Sequence, residues 1–284
     1  AAGYSEIWHR RPAFGGSGLM VMSRLPVQDI RFTPFTLEGL PQRPQHADYY
    51  GGKGFVEITL ETPAGPLVLI NTHLHAGYAP SDVLDEYEGI RAAQAIELAT
   101  AVRRIPGPVI ALGDFNSGEG EPARRILLGL SGLEDAADTL NHRQATCMRE
   151  NPYRSPGAED ARIDLILSRR GEEIGLHPIS IRRVLDRPIS IPVEDGQAAF
   201  SDHAGVLADF ELAPAKQTET LPAPPAPEAL RLAREQLELG LRISRKRRQR
   251  EDGYAAGGFT ASALLGVAAG QARRSRRQWC HNVI

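Results

Sequence analysis

Cysteine is scarce in this 284-residue chain: Cys147 and Cys280, with no CxxC pair and no spacing of the kind that seats a metal. A disulfide framework is excluded, and the redox compartment is left unmarked. No apolar run is long enough to span a bilayer. There is no internal repeat. The opening "AAGYSEIWHRR" has neither an initial Met nor a signal-peptide pattern, which predicts that the natural N-terminus lies upstream of Ala1. A basic, aromatic stripe that would track a nucleic acid is also missing from the body before Pro214.

What is present is ordinary in amount and uneven in placement. Hydrophobic residues make up 42% and charged residues 24%, as in a soluble globular domain. The formal net charge is -2, yet from Pro214 onward thirteen Lys or Arg stand against six Asp or Glu. An acidic body of about -9 is thus followed by a basic tail of about +7. The Pro/Ala-rich stretch within "ELAPAKQTETLPAPPAPEAL" reads as an extended linker. The predicted organisation is a domain over 1–212, a linker over 213–227 and a basic helical tail over 228–284.

Apolar runs in the body predict strands at Leu19–Ser23, Phe55–Glu61, Leu67–Leu74, Val109–Leu112, Ile163–Ser168 and Val206–Leu212. The runs on either side of "TPAG" predict an antiparallel pair. "EYEGIRAAQAIELATAVRRI" has helical spacing at Ile90, Ala93, Ile96, Leu98 and Val102, and a basic last turn that suits the helix dipole. In the tail, Leu230, Ala233, Leu237 and Leu241 predict one apolar helix face, followed by the basic cluster Arg245–Arg250.

Chemistry collects where these strands end. "VIALGDFNSGEG" runs from a buried-type strand through Gly113 into Asp114 and Asn116. "LVLINTHLHAGY" delivers His73 and His75, "ARIDLILSRR" places Asp164, and "AFSDHAGVLADFEL" places Asp202 and His203. Taken singly, each reads as turn chemistry, a rim histidine or a structural ion pair. Taken together they are carboxylates, an amide and imidazoles at the mouths of one sheet, where layered α/β proteins gather ligands.

The four pieces "NTHLHA", "LGDFNS", "RIDLIL" and "FSDHAG", in that order and spacing, resemble the endonuclease/exonuclease/phosphatase superfamily. Within it, "GGSGLMVMSRLPV", "GGKGFVEITL", "THLHA" and the "RAAQAIELA" helix are similar to neutral sphingomyelinases. The resemblance covers about residues 12–212. It implies an α/β fold of the DNase-I type, a two-sheet β-sandwich flanked by helices. It also implies a Mg²⁺-dependent phosphodiesterase, with Mn²⁺ as the alternative ion. Carried over residue by residue, His203 is the general base and Asp164 its orienting partner. Asp114 orients the water, Asn116 donates to phosphoryl oxygens, His73 stabilises charge on the phosphate, and Asp202 helps hold the metal. The family's early-strand Asn and its principal metal-binding Glu would precede Ala1, and Glu6 does not replace that Glu. The resemblance therefore implies a fragment that is inactive as it stands.

Asp48 and Lys53 in "HADYYGGKG" are spaced like an Asp/Lys pair beside the active site of some neutral sphingomyelinases, where Lys53 would neutralise phosphate or draw Asp48 aside. Read without the resemblance, they are solvated charges of a hairpin loop. His75 sits behind the site or at its rim. The expected partner is a phospholipid, sphingomyelin first, with an anionic membrane surface a candidate partner for the basic tail. The alternatives are a nuclease or phosphoinositide phosphatase on the same scaffold, which an acidic body disfavours, and a non-catalytic membrane- or partner-binding module.

Overall fold

Period-two alternation along four apolar strands decides the architecture. In the computed structural model the described residues are 3–9, 18–43, 46, 48–78, 85–154, 157–187, 189–191, 196–215 and 223–281. The elements are β1 (Glu6–His9), β2 (Met20–Ser23), β3 (Val27–Pro34), α1 (Asp48–Gly51), β4 (Gly54–Thr62), β5 (Gly65–His73), α2 (Glu88–Arg103) and β6 (Val109–Asp114). Then come α3 (Pro122–Ser131), β7 (Glu134–Asp135), α4 (Ala136–Thr139), β8 (Asp164–Arg169), β9 (Ile174–Val184), β10 (Ile189–Ile191), β11 (Gly196–Ala198), β12 (Gly205–Pro214) and α5 (Pro227–His281). The segment Gly15–Ser17 of the "GGSGLMVMSRLPV" motif lies outside the described residues.

Six strands form a mixed sheet in the order β3-β4-β5-β6-β8-β7. β4 and β5 pair antiparallel around the "TPAG" turn as expected, β5 and β6 run parallel, and β8 returns antiparallel to β6. Phe55, Ile70, Val109, Ala111, Leu165 and Leu167 point to one face, where they meet Ala92, Ala95 and Leu98 of α2 and Ile126 and Leu127 of α3. Leu67, Ile110 and Ile166 point to the other, against Leu176 of β9 and Val206, Phe210 and Leu212 of β12. Side chains of alternate parity thus feed two cores. The result is the expected mixed α/β sandwich, a six-stranded sheet between helices and the β9–β12 antiparallel pair.

The chain divides into two compact units, Ala1–Leu237 and Glu238–Ile284. Within the first unit, the start of α5 packs on α3: a Cβ on Gly129 would lie 2.5 Å from the Ala229 Cβ, so glycine permits the approach. The tail face expected from Leu230, Ala233, Leu237 and Leu241 is corrected here. Ala229 and Ala233 are the buried positions, with Leu232 packed beside them, while Leu230, Leu237 and Leu241 are exposed. The docking partner is a helix groove, which selects small side chains over large ones. Residues 238–281 continue as helix and carry the basic cluster. No helix among the described residues is long and apolar enough to cross a membrane.

Gly113 explains how the β6 mouth is built. Its φ is +140°, and a Cβ there would lie 1.9 Å from the Thr72 carbonyl oxygen on β5. Gly113→Ala should lower stability by at least about 1–3 kcal/mol, since both the backbone conformation and the neighbouring strand forbid the side chain. Urea unfolding would check this, and a change under about 0.5 kcal/mol would show that the turn has room.

Candidate active site

Strand register brings the expected residues together. His73 ends β5 opposite Asp114, which ends β6, and Asp114 stands opposite Asp164, which opens β8. His203 and Asp202 lie in the loop that enters β12. All five border a cavity of about 470 Å³, together with Asn116, Asp48 and Tyr78.

The β6 mouth is cross-braced. His73 Nε2 lies 3.2 Å from Asp114 Oδ2. The Asn116 backbone N–H donates to Asp114 Oδ1 at 2.8 Å. Its side-chain amide donates to Asp114 Oδ2 at 3.2 Å and to the Leu74 carbonyl at 3.0 Å. Asn116 takes a φ of +45°, a left-handed turn that Asn tolerates better than most residues. Burial pushes the Asp114 carboxyl up, but the His73 hydrogen bond and charge, the Asn116 N–H and the His203 charge outweigh it and hold it below the usual carboxylate range.

Opposite lies the dyad. Asp164 Oδ2 is 2.9 Å from His203 Nδ1, which leaves Nε2 on the side of Asp202, 3.9 Å from its Oδ2. Thr146 sews the two halves together. Its hydroxyl accepts from the Asp164 N–H at 3.3 Å and its carbonyl from the Ala204 N–H at 2.8 Å. Hydrogen bonds with Asp164 and Cys147 push the His203 imidazole up to about 11, against the opposing effect of burial. The Asp202 side chain is 61% exposed, borders the cavity and accepts a hydrogen bond from the Ser201 hydroxyl at 3.1 Å.

Behind His73 lies a buried polar layer, and the loop reading of Asp48 and Lys53 as solvated charges fails there. Their side chains are 7% and 5% exposed and form an ion pair at 2.5 Å. Lys53 Nζ also donates to the Leu74 carbonyl at 3.3 Å, the acceptor that Asn116 shares. Asp48 borders the cavity and Lys53 does not. Tyr78 donates a short hydrogen bond to Asp48, and His46 stacks on Tyr78 at 3.9 Å. His75 is 1% exposed rather than at the rim. It stacks on Tyr87 at 4.4 Å and bonds the Ala76 carbonyl through Nδ1 at 2.8 Å.

Burial is the largest influence on His75 and lowers its proton affinity below that of an ordinary histidine. A group with a depressed folded pKa stabilises above its unfolded value, about 6.5, and loses that contribution as pH falls. Acidification from pH 7 to 5.5 should therefore cost the protein up to about 1.4 kcal/mol per pH unit through this one group. His75→Gln should flatten that slope in urea titrations at the two pH values. Equal slopes would exclude His75 as the titrating group.

Sequence reasoning missed Tyr78, Thr146 and Cys147. Tyr78 stood inside the quoted "THLHAGY", where only the histidines carried a spacing signal. Cys147 was set aside for lack of a partner in sequence. Its partners come from tertiary folding: with Asp164 and His203 it forms a group whose ligand atoms lie within 4.8 Å of one another.

Oxygen donors dominate the cavity wall: the carboxylates of Asp48, Asp114, Asp164 and Asp202 and the Asn116 amide. That set suits a hard divalent cation such as Mg²⁺, which takes oxygen ligands and keeps several waters.

With this geometry in hand, comparison with known proteins is specific. Residues 2–203 match the family described as "Endonuclease/Exonuclease/phosphatase family". A Drosophila melanogaster protein provisionally named neutral sphingomyelinase is 32% identical over 206 residues, covering 69% of this chain and 45% of that protein. An inositol phosphosphingolipids phospholipase C of Saccharomyces cerevisiae is 30% identical over 144 residues, covering 50% of this chain and 30% of its own. The chain thus spans less than half the length of either relative. Among solved structures, SmcL superposes with a TM-score of 0.55 at 21% identity, covering 73% of this chain and 77% of that one.

Proposed function

Because this chain belongs to the endonuclease/exonuclease/phosphatase family, we propose that its cavity hydrolyses phosphodiesters of sphingolipids by a metal-dependent route, with sphingomyelin the first candidate substrate and ceramide and phosphocholine the products. The observation that carries this reading is the Asp164–His203 pair at 2.9 Å on one side of the cavity, with the His73–Asp114–Asn116 brace opposite. The names of the two relatives favour a sphingolipid, since they differ in headgroup and share that lipid class.

In this reading Asp202 and Asp114 would help hold Mg²⁺, or Mn²⁺ in its place. A bound divalent ion would neutralise phosphate charge and add positive potential beside the imidazole. His203 then takes a proton from water at Nε2 while Asp164 fixes the ring through Nδ1. Asp114 orients the water, Asn116 donates to a phosphoryl oxygen, and His73 stabilises the charge that builds on the phosphate. Asp48 borders the cavity where a cationic headgroup would lie, with His75 and Lys53 supporting it from behind.

The test compares substrates on the purified full-length natural protein: sphingomyelin in anionic and neutral vesicles, sphingomyelin in detergent micelles, a phosphoinositide, and plasmid DNA. Phosphocholine release should exceed both DNA nicking and phosphoinositide dephosphorylation. The rate should be higher on anionic vesicles if the basic helix reaches the membrane, by about 1 kcal/mol of affinity per Lys or Arg at the surface. A truncation after Leu237 keeps Ala229 and Ala233 in the core and should remove only the vesicle preference. Efficient nicking with sphingomyelin untouched would overturn the lipid assignment.

A further inference from the structure

One side chain beside the dyad has no task in the proposed reaction. Cys147 is fully buried, yet its Sγ stands beside Asp164 and His203. It reaches that position through an antiparallel bridge to Ala161, which draws residues 146–147 alongside the entry to β8. Its Sγ, a carboxylate oxygen of Asp164 and a ring nitrogen of His203 lie within 4.8 Å of one another.

We propose that Cys147, Asp164 and His203 form a binding site for a thiophilic divalent cation such as Zn²⁺. One sulfur, one nitrogen and one oxygen make a borderline-soft donor set, and Zn²⁺ binds each type at about 2.0–2.3 Å in four-coordinate geometry. The fourth position falls to water from the cavity that Asp164 and His203 line. Mg²⁺ does not compete, since it prefers oxygen and holds its waters. Binding releases the thiol proton to solvent as the metal–sulfur bond forms. The ion also replaces the proton shared between His203 and Asp164, and no electron is transferred. Resting on the proposed reaction, one consequence is inhibition: the ion occupies the dyad that would take a proton from water.

The probe is Co²⁺, titrated into the purified protein in excess Mg²⁺. One equivalent should produce thiolate-to-cobalt charge-transfer absorption with tetrahedral d–d bands, and Zn²⁺ should erase both. The bands should persist in Cys280→Ser and vanish in Cys147→Ser. Asp164→Asn should weaken binding at least about tenfold. A ¹¹³Cd resonance of the Cys280→Ser protein reports the sulfur-containing donor set without touching Cys147, which covers the case in which Cys147→Ser fails to fold. Absence of both the bands and a sulfur-shifted resonance would overturn the site, as would bands that follow Cys280. None of these readouts uses turnover, so their failure leaves the phosphodiesterase reading standing, and an inactive protein leaves the metal site testable.

Discussion

In the full-length natural protein, His203→Ala should lower the rate of phosphodiester hydrolysis by about a hundredfold or more, and removal of the divalent ion with EDTA should abolish it. A positioned general base contributes about 10²–10⁴, and no other imidazole in the cavity can substitute. His73 is engaged with Asp114 at 3.2 Å and sits on another strand, while His75 is buried behind the site. Asp164→Asn should cost more than about tenfold, because the amide can hold the ring but no longer favours its charged form. Adding Mg²⁺ back after EDTA should restore the wild-type rate and leave His203→Ala slow. Circular dichroism separates chemistry from folding, since His203 lies in a loop at the cavity edge. Unchanged turnover in EDTA or in His203→Ala would sink the mechanism.

How much of this was legible in the sequence follows from burial. β4, β5, β6 and β8 are covered on both faces, so they read as apolar runs, and each expected strand falls on an observed one to within two residues. β9 was not read. Pro178 and charged Arg182 and Arg183 interrupt its pattern, and it has β12 as its partner along its length. α3 was also missed, a ten-residue helix opening at Pro122 and closed by Gly132 in a left-handed turn. The candidate set was legible because strand ends are fixed by topology: once β5, β6 and β8 are neighbours, His73, Asp114 and Asp164 must meet. The layer behind them was not, since the ion pair of Asp48 and Lys53 has the same spelling whether solvated or buried. What covers it is Tyr78 and His75, brought in from elsewhere in the chain, with His46 of the same stretch stacked on Tyr78.

That buried pair should be among the costliest places in the domain to remove a charge. Lys53→Met should lose about 3–5 kcal/mol, the usual penalty for leaving one partner of a buried ion pair uncompensated. Among the described residues, Asp48 would keep the Tyr78 hydrogen bond and His75, whose Nδ1 is 3.9 Å away. Asp48→Asn should cost less, because burial already lowers the proton affinity of Lys53, and the amine can shed its proton while still facing the Leu74 carbonyl. The double variant should recover much of the loss, since no charge is left buried. The pH dependence has a definite sign. In the wild type, burial pushes Asp48 up, but the Lys53 charge and the bonds from Lys53 and Tyr78 prevail and hold it below its ordinary range. Its contribution is therefore present above about pH 4 and lost as pH falls through the folded value. Without Lys53 the carboxyl prefers its proton, so the deficit of Lys53→Met should be largest near neutrality and shrink toward acid. Urea midpoints at pH 7.5 and 4.5 measure both effects. The loss should also reach the active site, because Lys53 and Asn116 share the Leu74 carbonyl. A Lys53→Met protein within about 0.5 kcal/mol of wild type at neutral pH, well inside the range of ordinary surface substitutions, would show that water, not Lys53, satisfies Asp48.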